Sequence, residues 1–368
     1  MTIDISIPNC TLTTACFSLN DTAVRSLDET IDMSRMLLSI PVYLVVYGDS
    51  ETIPRLKKIR EEFGLLNLTI FKETNTHTLW SFQYKDIVKH NRERFFPTRD
   101  SRTTVESHLV TCNKFDFVLQ TIESNPFHTT RFGWVDCFLG KDTIKICENY
   151  EPHILPWILS NITDNFHIQV LNVCDKKYKR NEYKQEFYSR YQWVVCGGFF
   201  TCSDIIGKPI LERLKTIFRE TTIQGFGHGE EMFYLEVLDE FSSSITRSYG
   251  DYGQIWNNFI RPTKNYHYIY YFILKNYIEL GYWSEAKNCC QVLLEQVENH
   301  HVYVIPSMRI GLWLDWFIIM YHYEPRSCSD IFENLMKLCE YNTILMKEYT
   351  AEAWRIEWYL GSIKEVYG

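Results

Sequence analysis

The sequence predicts an α/β protein: a doubly wound, mostly parallel sheet flanked by helices, followed by a C-terminal α-helical bundle. Three observations lead there. Short β-branched and aromatic runs alternate with helix-spaced apolar patterns over the first two thirds of the chain. The run PVYLVVY at 41–47 is apolar at nearly every position, as in a strand buried on both faces. Beyond Arg261-Pro262 the strand-like runs stop and helical patterns follow one another. The expected division is therefore a sheet domain at 1–262 and a helical domain at 263–368.

The elements follow in order. Residues 11–17 (TLTTACF) read as a first strand, and 28–40 carry helical apolar spacing. The strand at 41–47 stops at Gly48-Asp49. A helix at 53–63, a strand at 68–71, a long helix at 105–122 and a strand at 132–135 complete a β-α-β-α-β-α-β order. Strands at 143–147 and 167–173 continue the sheet, with helices at 209–219 and 230–241. The tail predicts helices at 266–280, 283–297, 306–323, 329–340 and 351–363. Gly281 and Ala286 sit as in a tetratricopeptide hairpin, where small residues let two helices approach.

Composition narrows the function classes. Hydrophobic residues make up 45% and charged residues 23% of the 368, an ordinary soluble balance. The net charge of −8 disfavours a non-specific nucleic-acid binder, which needs a basic field. The 12 cysteines contain no Cys-x-x-Cys pair and lie mostly in apolar segments, which fits reduced, buried thiols. The first residues lack the basic and apolar regions of a signal peptide, and no apolar run is long enough for a transmembrane segment. A cytoplasmic protein is expected.

Five groups of residues could carry chemistry. The first is the turn and strand Asn125-Pro126-Phe127-His128-Thr129-Thr130-Arg131-Phe132-Gly133-Trp134-Val135-Asp136. It places one carboxylate where a strand runs out, and ligands of open α/β sheets bind at such ends. Asp136 there could hold a cation, or merely cap the next turn. Thr13, Thr14, Ala15 and Cys16 leave the first strand as small residues that a flat base could approach. Asp49 could accept from a ribose hydroxyl or a base N–H, or serve as a turn residue in Gly-Asp-Ser. Arg92, Arg94, Arg99 and Arg102 cluster within eleven residues, and guanidinium forks match phosphates. The loop Gly225-Phe226-Gly227-His228-Gly229-Glu230-Glu231 brings two acids to a helix start, where they favour its positive end or act as a general base. Neither a G-x-G-x-x-G fingerprint nor a Walker A motif is present, which counts against dehydrogenases and P-loop nucleotidases.

Taken in order, these motifs resemble the HtrL/YibB-type proteins, whose pattern has an Asn-Pro-Phe and then a Trp-Ile-Asp. Lys114, Cys196-Gly197-Gly198-Phe199-Phe200, the Gly227-x-Gly229-Glu230-Glu231 run and Gly250-Asp251-Tyr252 fit the same pattern. So do Thr14-Ala15-Cys16-Phe17 and the strand ending at Gly48-Asp49. The match spans roughly 11–260. The resemblance implies a GT-A-like sheet and a glycosyltransferase using a nucleotide-sugar donor, with UDP favoured, and Mn2+ or Mg2+. By that likeness Asp136 stands where the last acid of a DxD motif holds the metal, with His228 as a further candidate ligand. Trp134 occupies the place of the first acid, a departure from the pattern. Thr13, Thr14, Ala15, Cys16 and Asp49 would hold the nucleoside. Arg102 and Lys114 would hold the diphosphate, with Trp134 and Gly198 beside the donor. Glu230 or Glu231 would act as base on a hydroxyl of a glycan or other acceptor, which implies inversion. Two alternatives stand beside this: a degenerate enzyme that binds partners through its helical domain, and a transferase moving phosphoryl groups.

Overall fold

The computed structural model describes residues 7–19, 26–94, 103–139, 154–226, 229–250, 255–256, 258–260, 267–325 and 328–341. The expected strand at 143–147 and helix at 351–363 lie outside them. The chain divides into two compact units, Met1–Ile260 and Arg261–Gly368.

The first unit is built on a seven-stranded sheet. Its strands are β1 (Cys10–Cys16), β2 (Tyr43–Gly48), β3 (Thr69–Glu73), β4 (Arg131–Val135), β5 (Phe166–Val170), β6 (Val195–Ser203) and β7 (Ile245–Tyr249). Their order is β3-β2-β1-β4-β6-β5-β7. The β3-β2-β1-β4 half is parallel. β6 runs antiparallel to both β4 and β5, and β7 returns parallel to β5. Residues 167–173 were expected to continue the sheet, and do so as β5. β6 was not foreseen as a strand. All nine of its residues are buried, and Gly197 and Gly198 interrupt its strand-like composition.

Among the described residues the sheet is accompanied by helices α1 (Leu27–Leu38), α2 (Thr52–Glu62), α3 (Lys85–Arg94), α4 (Val105–Ser124), α5 (Ile154–Asn161), α6 (Lys184–Tyr188), α7 (Asp204–Ile223) and α8 (Tyr234–Glu240). Alternation along the strands sorts them. Leu12, Leu44, Val46 and Val135 face one way and share a core with Leu37 and Leu38 of α1, Leu56 and Ile59 of α2, and Leu155 and Ile158 of α5. Tyr47 and Trp134 face the other way and meet α4, with Phe117 stacked 4.4 Å from the Tyr47 ring. The predicted helix at 230–241 divides into a 3-10 turn, Glu230–Phe233, and α8.

Local signals explain the boundaries. α1 starts with a capping box: Glu29 N donates to Ser26 Oγ, and Ser26 N donates to Glu29 Oε2. α4 starts on Thr104 and ends on Asn125, which sits at φ +32°. The Asn125 amide then bridges the turn both ways, accepting from Thr129 N and donating to Thr129 O, each at 3.0 Å. Phe127 stacks on Tyr43 at 4.6 Å. The Asn-Pro-Phe run thus aims the chain from α4 into β4.

The second unit comprises α9 (His267–Glu279), α10 (Trp283–Glu298), α11 (Pro306–Tyr323) and α12 (Cys328–Tyr341). Gly281, at φ +69°, closes the α9–α10 turn in a conformation that favours glycine. Lys275 of α9 pairs with the buried Asp315 of α11. No helix among the described residues is long and apolar enough to cross a membrane.

Arg60 ties the parallel half together. Its side chain is fully buried and donates to the carbonyls of Leu38, Ile40 and Val42 and to Thr69 Oγ1. Burial lowers its pKa to about 10, so it stays charged at neutral pH. Arg60→Leu strands three buried carbonyls at the α1–β2 junction and is expected to cost about 3 kcal/mol or more. Urea unfolding followed by circular dichroism measures it; a loss under about 1 kcal/mol would contradict this account.

Candidate functional site

Because β1, β2 and β4 are parallel, their carboxyl ends share one rim of the sheet. Antiparallel β6 begins at that rim. The topology therefore gathers Cys16, Gly48-Asp49, Asp136 and Gly197-Gly198 at one edge. Asp136 N donates to Gly198 O at 2.8 Å, which locks the end of β4 to β6.

Under this rim lies a polar group drawn from distant parts of the chain. Lys114, from the middle of α4, is fully buried. Its Nζ donates to Glu230 Oε1 at 2.8 Å and to Gly197 O at 2.9 Å, and lies 3.9 Å from Asp136 Oδ1. The same Nζ stands 5.5 Å from the centroid of the Trp134 ring. The Trp134 indole donates to Asp136 Oδ1 at 2.6 Å. Glu231, only 6% exposed, accepts from the Tyr191 hydroxyl. Gly197 is glycine of necessity: a Cβ there would sit 2.7 Å from Glu230 Oε1 and 3.4 Å from Lys114 Nζ. A Cβ at Gly198 would sit 3.1 Å from Asp136 Oδ2, so that glycine keeps space beside the carboxylate.

The charges are uneven. Burial opposes the ammonium of Lys114, but the carboxylates of Glu230, Asp136 and Glu231 outweigh it and hold its pKa above the usual range. Burial likewise works against ionised Glu230, yet Lys114 beside it brings its pKa below the usual value. Glu231 is pushed up to about 8 by burial and then by the charge of Glu230. Burial also raises Asp136, against Lys114 and the Trp134 indole. That side chain is 36% exposed, however, so water screens the rise. The cluster thus holds an ion pair, a carboxyl that keeps its proton near neutrality, and one partly exposed acid at its edge.

The remaining predicted residues fall in different places. Thr13 and Thr14 are fully buried inside β1, and their hydroxyls find no hydrogen-bond partner among the described residues. They present no surface to a base; Ala15 and Cys16 lie nearer the rim and are also buried. The Asp49 carboxylate accepts from Ser18 N, Glu51 N and Thr52 N, at 2.6, 3.1 and 2.8 Å, so it braces the turn into α2 and ties the segment after β1 to the end of β2. Lys114 was expected at a diphosphate, but in this structure its ammonium is enclosed by Glu230 and Gly197, out of reach of solvent. Trp134 is buried against α4, not open to a donor face. Of the arginine cluster, Arg92 is buried and donates to Thr103 O. Arg99, Arg102, Gly227, His228 and Asp251 lie outside the described residues. Tyr191 was missed altogether: it sits in an irregular segment, and nothing local marks it as the partner of an acid forty positions away.

Among the described residues no group of three or more His, Cys, Asp and Glu side chains could hold a metal. Asp136 keeps one oxygen, Oδ2, outside any described hydrogen bond. A Mg2+ or Mn2+ ion can live with one protein carboxylate if phosphates and water complete its shell. A separate groove of about 740 Å³ lies within the helical unit, between the end of α10, α11 and α12. It includes Tyr303, Trp313 and Leu338 and has no comparable cluster of acids.

Three comparisons bear on this arrangement. The family described as "Bacterial protein of unknown function (HtrL_YibB)" matches residues 9–224. No curated protein matches the chain. Among solved structures, the apo form of mouse xyloside xylosyltransferase 1 is similar at 13% identity and a TM-score of 0.36, covering 68% of this chain and 93% of that one. So low a TM-score carries no argument.

The raised pKa of Glu231 has a stability consequence. A carboxyl whose folded pKa lies above its unfolded value of 4.5 stabilises the fold fully below that value, and the contribution is lost as pH rises through about 8. The groups bearing on it are Lys114, Glu230 and Tyr191. Glu231→Gln removes the titration, so the melting temperature of this variant should fall less than that of the wild type between pH 5.5 and 8.5. Parallel thermal melts across that range test this; equal slopes would refute it.

Proposed function

The chain belongs to the HtrL_YibB family, and we propose that it is a glycosyltransferase moving a sugar from a nucleoside-diphosphate sugar, UDP-linked by preference, to a hydroxyl of a glycan or other acceptor. One observation carries the reading. A partly exposed carboxylate, Asp136, stands at the rim of a mostly parallel sheet, directly beside a buried Lys114–Glu230–Glu231 cluster. Such rims are where open α/β sheets take nucleotide ligands. The mostly parallel sheet agrees with the GT-A-like architecture implied by the sequence motifs.

In this reading Asp136 Oδ2, with the space kept by Gly198, would hold a Mn2+ or Mg2+ ion shared with the donor diphosphate, and the ion would offset charge on the leaving phosphate. The other tasks fall to the chain itself. Trp134 and Lys114 orient Asp136 from below, through the 2.6 Å indole bond and the 3.9 Å ammonium. Lys114 keeps Glu230 ionised and fixed. Glu231 is the better base of the two: its carboxyl titrates near 8, close to working pH, whereas Glu230 is committed to Lys114. The acceptor oxygen bonds to the anomeric carbon, the bond from that carbon to the diphosphate breaks, and the hydroxyl proton passes to Glu231 in its ionised form, whose share grows as pH rises toward 8. Attack opposite the leaving group inverts the anomeric centre. A reducing cytoplasm suits free, buried thiols such as Cys10, Cys112 and Cys290.

A second reading has its own observation. Trp134 fills the position of a metal-binding acid, and the helical unit carries a groove with Tyr303 and Trp313. Both suit a protein that has lost catalysis and binds partners.

Thermal melts with 1 mM UDP-glucose, UDP-galactose, UDP-N-acetylglucosamine or UDP-xylose, each with and without Mn2+, separate the two. At one hundred times Kd a donor adds about 2.7 kcal/mol, a rise of about 5 °C or more. Asp136→Ala should cancel that rise, and donor turnover with it, while leaving the unliganded melting temperature within about 2 °C of wild type. Stabilisation by none of the donors would favour the binding protein; full activity in Asp136→Ala would remove Asp136 from the mechanism.

A further inference from the structure

The segment leading into β6 links the candidate base to an open aromatic surface. Tyr191 gives its hydroxyl to Glu231. Its ring packs so closely on Gly229 that a Cβ there would stand 2.4 Å from it, so the ring is clamped beside the Glu230–Phe233 turn. The ring lies 4.8 Å, centroid to centroid, from that of Trp193, inclined at 49°. Trp193 is 49% exposed. The backbone beneath it is held to the end of β5: Asn172 Nδ2 donates to Trp193 O at 2.7 Å, and Leu171 N donates to Val194 O at 3.0 Å.

Exposed apolar side chains occur elsewhere, Trp157 and Ile205 among them, and singly they carry no message. Trp193 differs because its ring touches the residue that holds the proton-bearing acid. A base must lie within hydrogen-bond reach of the hydroxyl it deprotonates. The Tyr191 hydroxyl reaches Glu231, so a saccharide lying on the adjoining Trp193 ring would stand near that carboxyl. Asp136 and Gly198, which would take the donor phosphates, lie on the Lys114 side of the same cluster. An indole offers a large, rigid apolar surface with little side-chain entropy to lose, and the C–H face of a pyranose is apolar enough to lie on it.

We infer that Tyr191 and Trp193 form the acceptor subsite, with Trp193 taking the apolar face of a saccharide ring and Tyr191 holding Glu231 toward that ring's hydroxyl. This rests on the glycosyltransferase reading and names its acceptor as a saccharide. Tyr191 acts as a positioning residue; Trp193 sets acceptor affinity.

The test uses the full chain with the UDP-sugar that stabilises it and p-nitrophenyl glycosides of glucose, galactose, N-acetylglucosamine and xylose as acceptors. Trp193→Ala should raise acceptor KM about three- to tenfold. Donor KM, donor-induced stabilisation and the unliganded melting temperature should stay as in the wild type. Trp193→Phe should recover most of the loss. An unchanged acceptor KM in Trp193→Ala, or a change in donor KM instead, overturns the subsite while leaving the glycosyltransferase reading intact. Donor stabilisation without transfer to any glycoside overturns the saccharide acceptor. Absence of donor stabilisation in the wild type brings down the glycosyltransferase reading, and the subsite with it.

Discussion

The contact between Lys114 and Glu230 organises the rim of the sheet. A fully buried ammonium is tolerated only with a partner, and this one is met by a carboxylate and a backbone carbonyl. Each neighbour then has its reason. Gly197 must lack a side chain so that Glu230 can reach the amine. Glu231, buried and then adjacent to an ionised Glu230, cannot easily ionise as well, and its pKa is pushed up to about 8. Asp136, a little farther off, is left as the acid open to the outside. One ion pair thus divides three carboxylates into a fixed anion, a buried acid with a raised pKa and a partly exposed acid.

The arrangement illustrates why an acid missing from a motif need not empty a site. Trp134, in β4, stands two residues before Asp136, which lies just past the end of that strand. It points inward between Phe117 and Lys114, and its single N–H is spent on the Asp136 oxygen. An acid there would compete for Lys114 and repel Asp136. The indole instead orients Asp136 without adding charge. The same residue that departs from the usual acid pair therefore accounts for the posture of the acid that remains.

Sequence reasoning reached the local chemistry well and the long-range pairing poorly. The Asn125 turn, the apolar run of β2 and the acid ending β4 are encoded within a few residues of themselves, through φ preference, alternation and chain direction. The arrival of β6 between β4 and β5 depends on which buried surfaces match across about sixty residues of sequence, and its two glycines disguise it as a loop. Asp49 carried two readings of equal standing, and the structure gives it three backbone amides to cap. Thr13 and Thr14 looked open because small residues permit approach; their side chains project to opposite faces of the sheet and both are fully buried there.

The sequence by itself determined the class of fold and the residue types from which an anion- or cation-binding rim could be made, because periodicity and turn chemistry act over short stretches of chain. The tertiary structure alone decided which acid pairs with Lys114, which keeps its proton, and that Tyr191 closes on Glu231. Those outcomes depend on burial and on charges brought within a few ångströms from positions forty to more than a hundred residues apart, and no local pattern carries that distance.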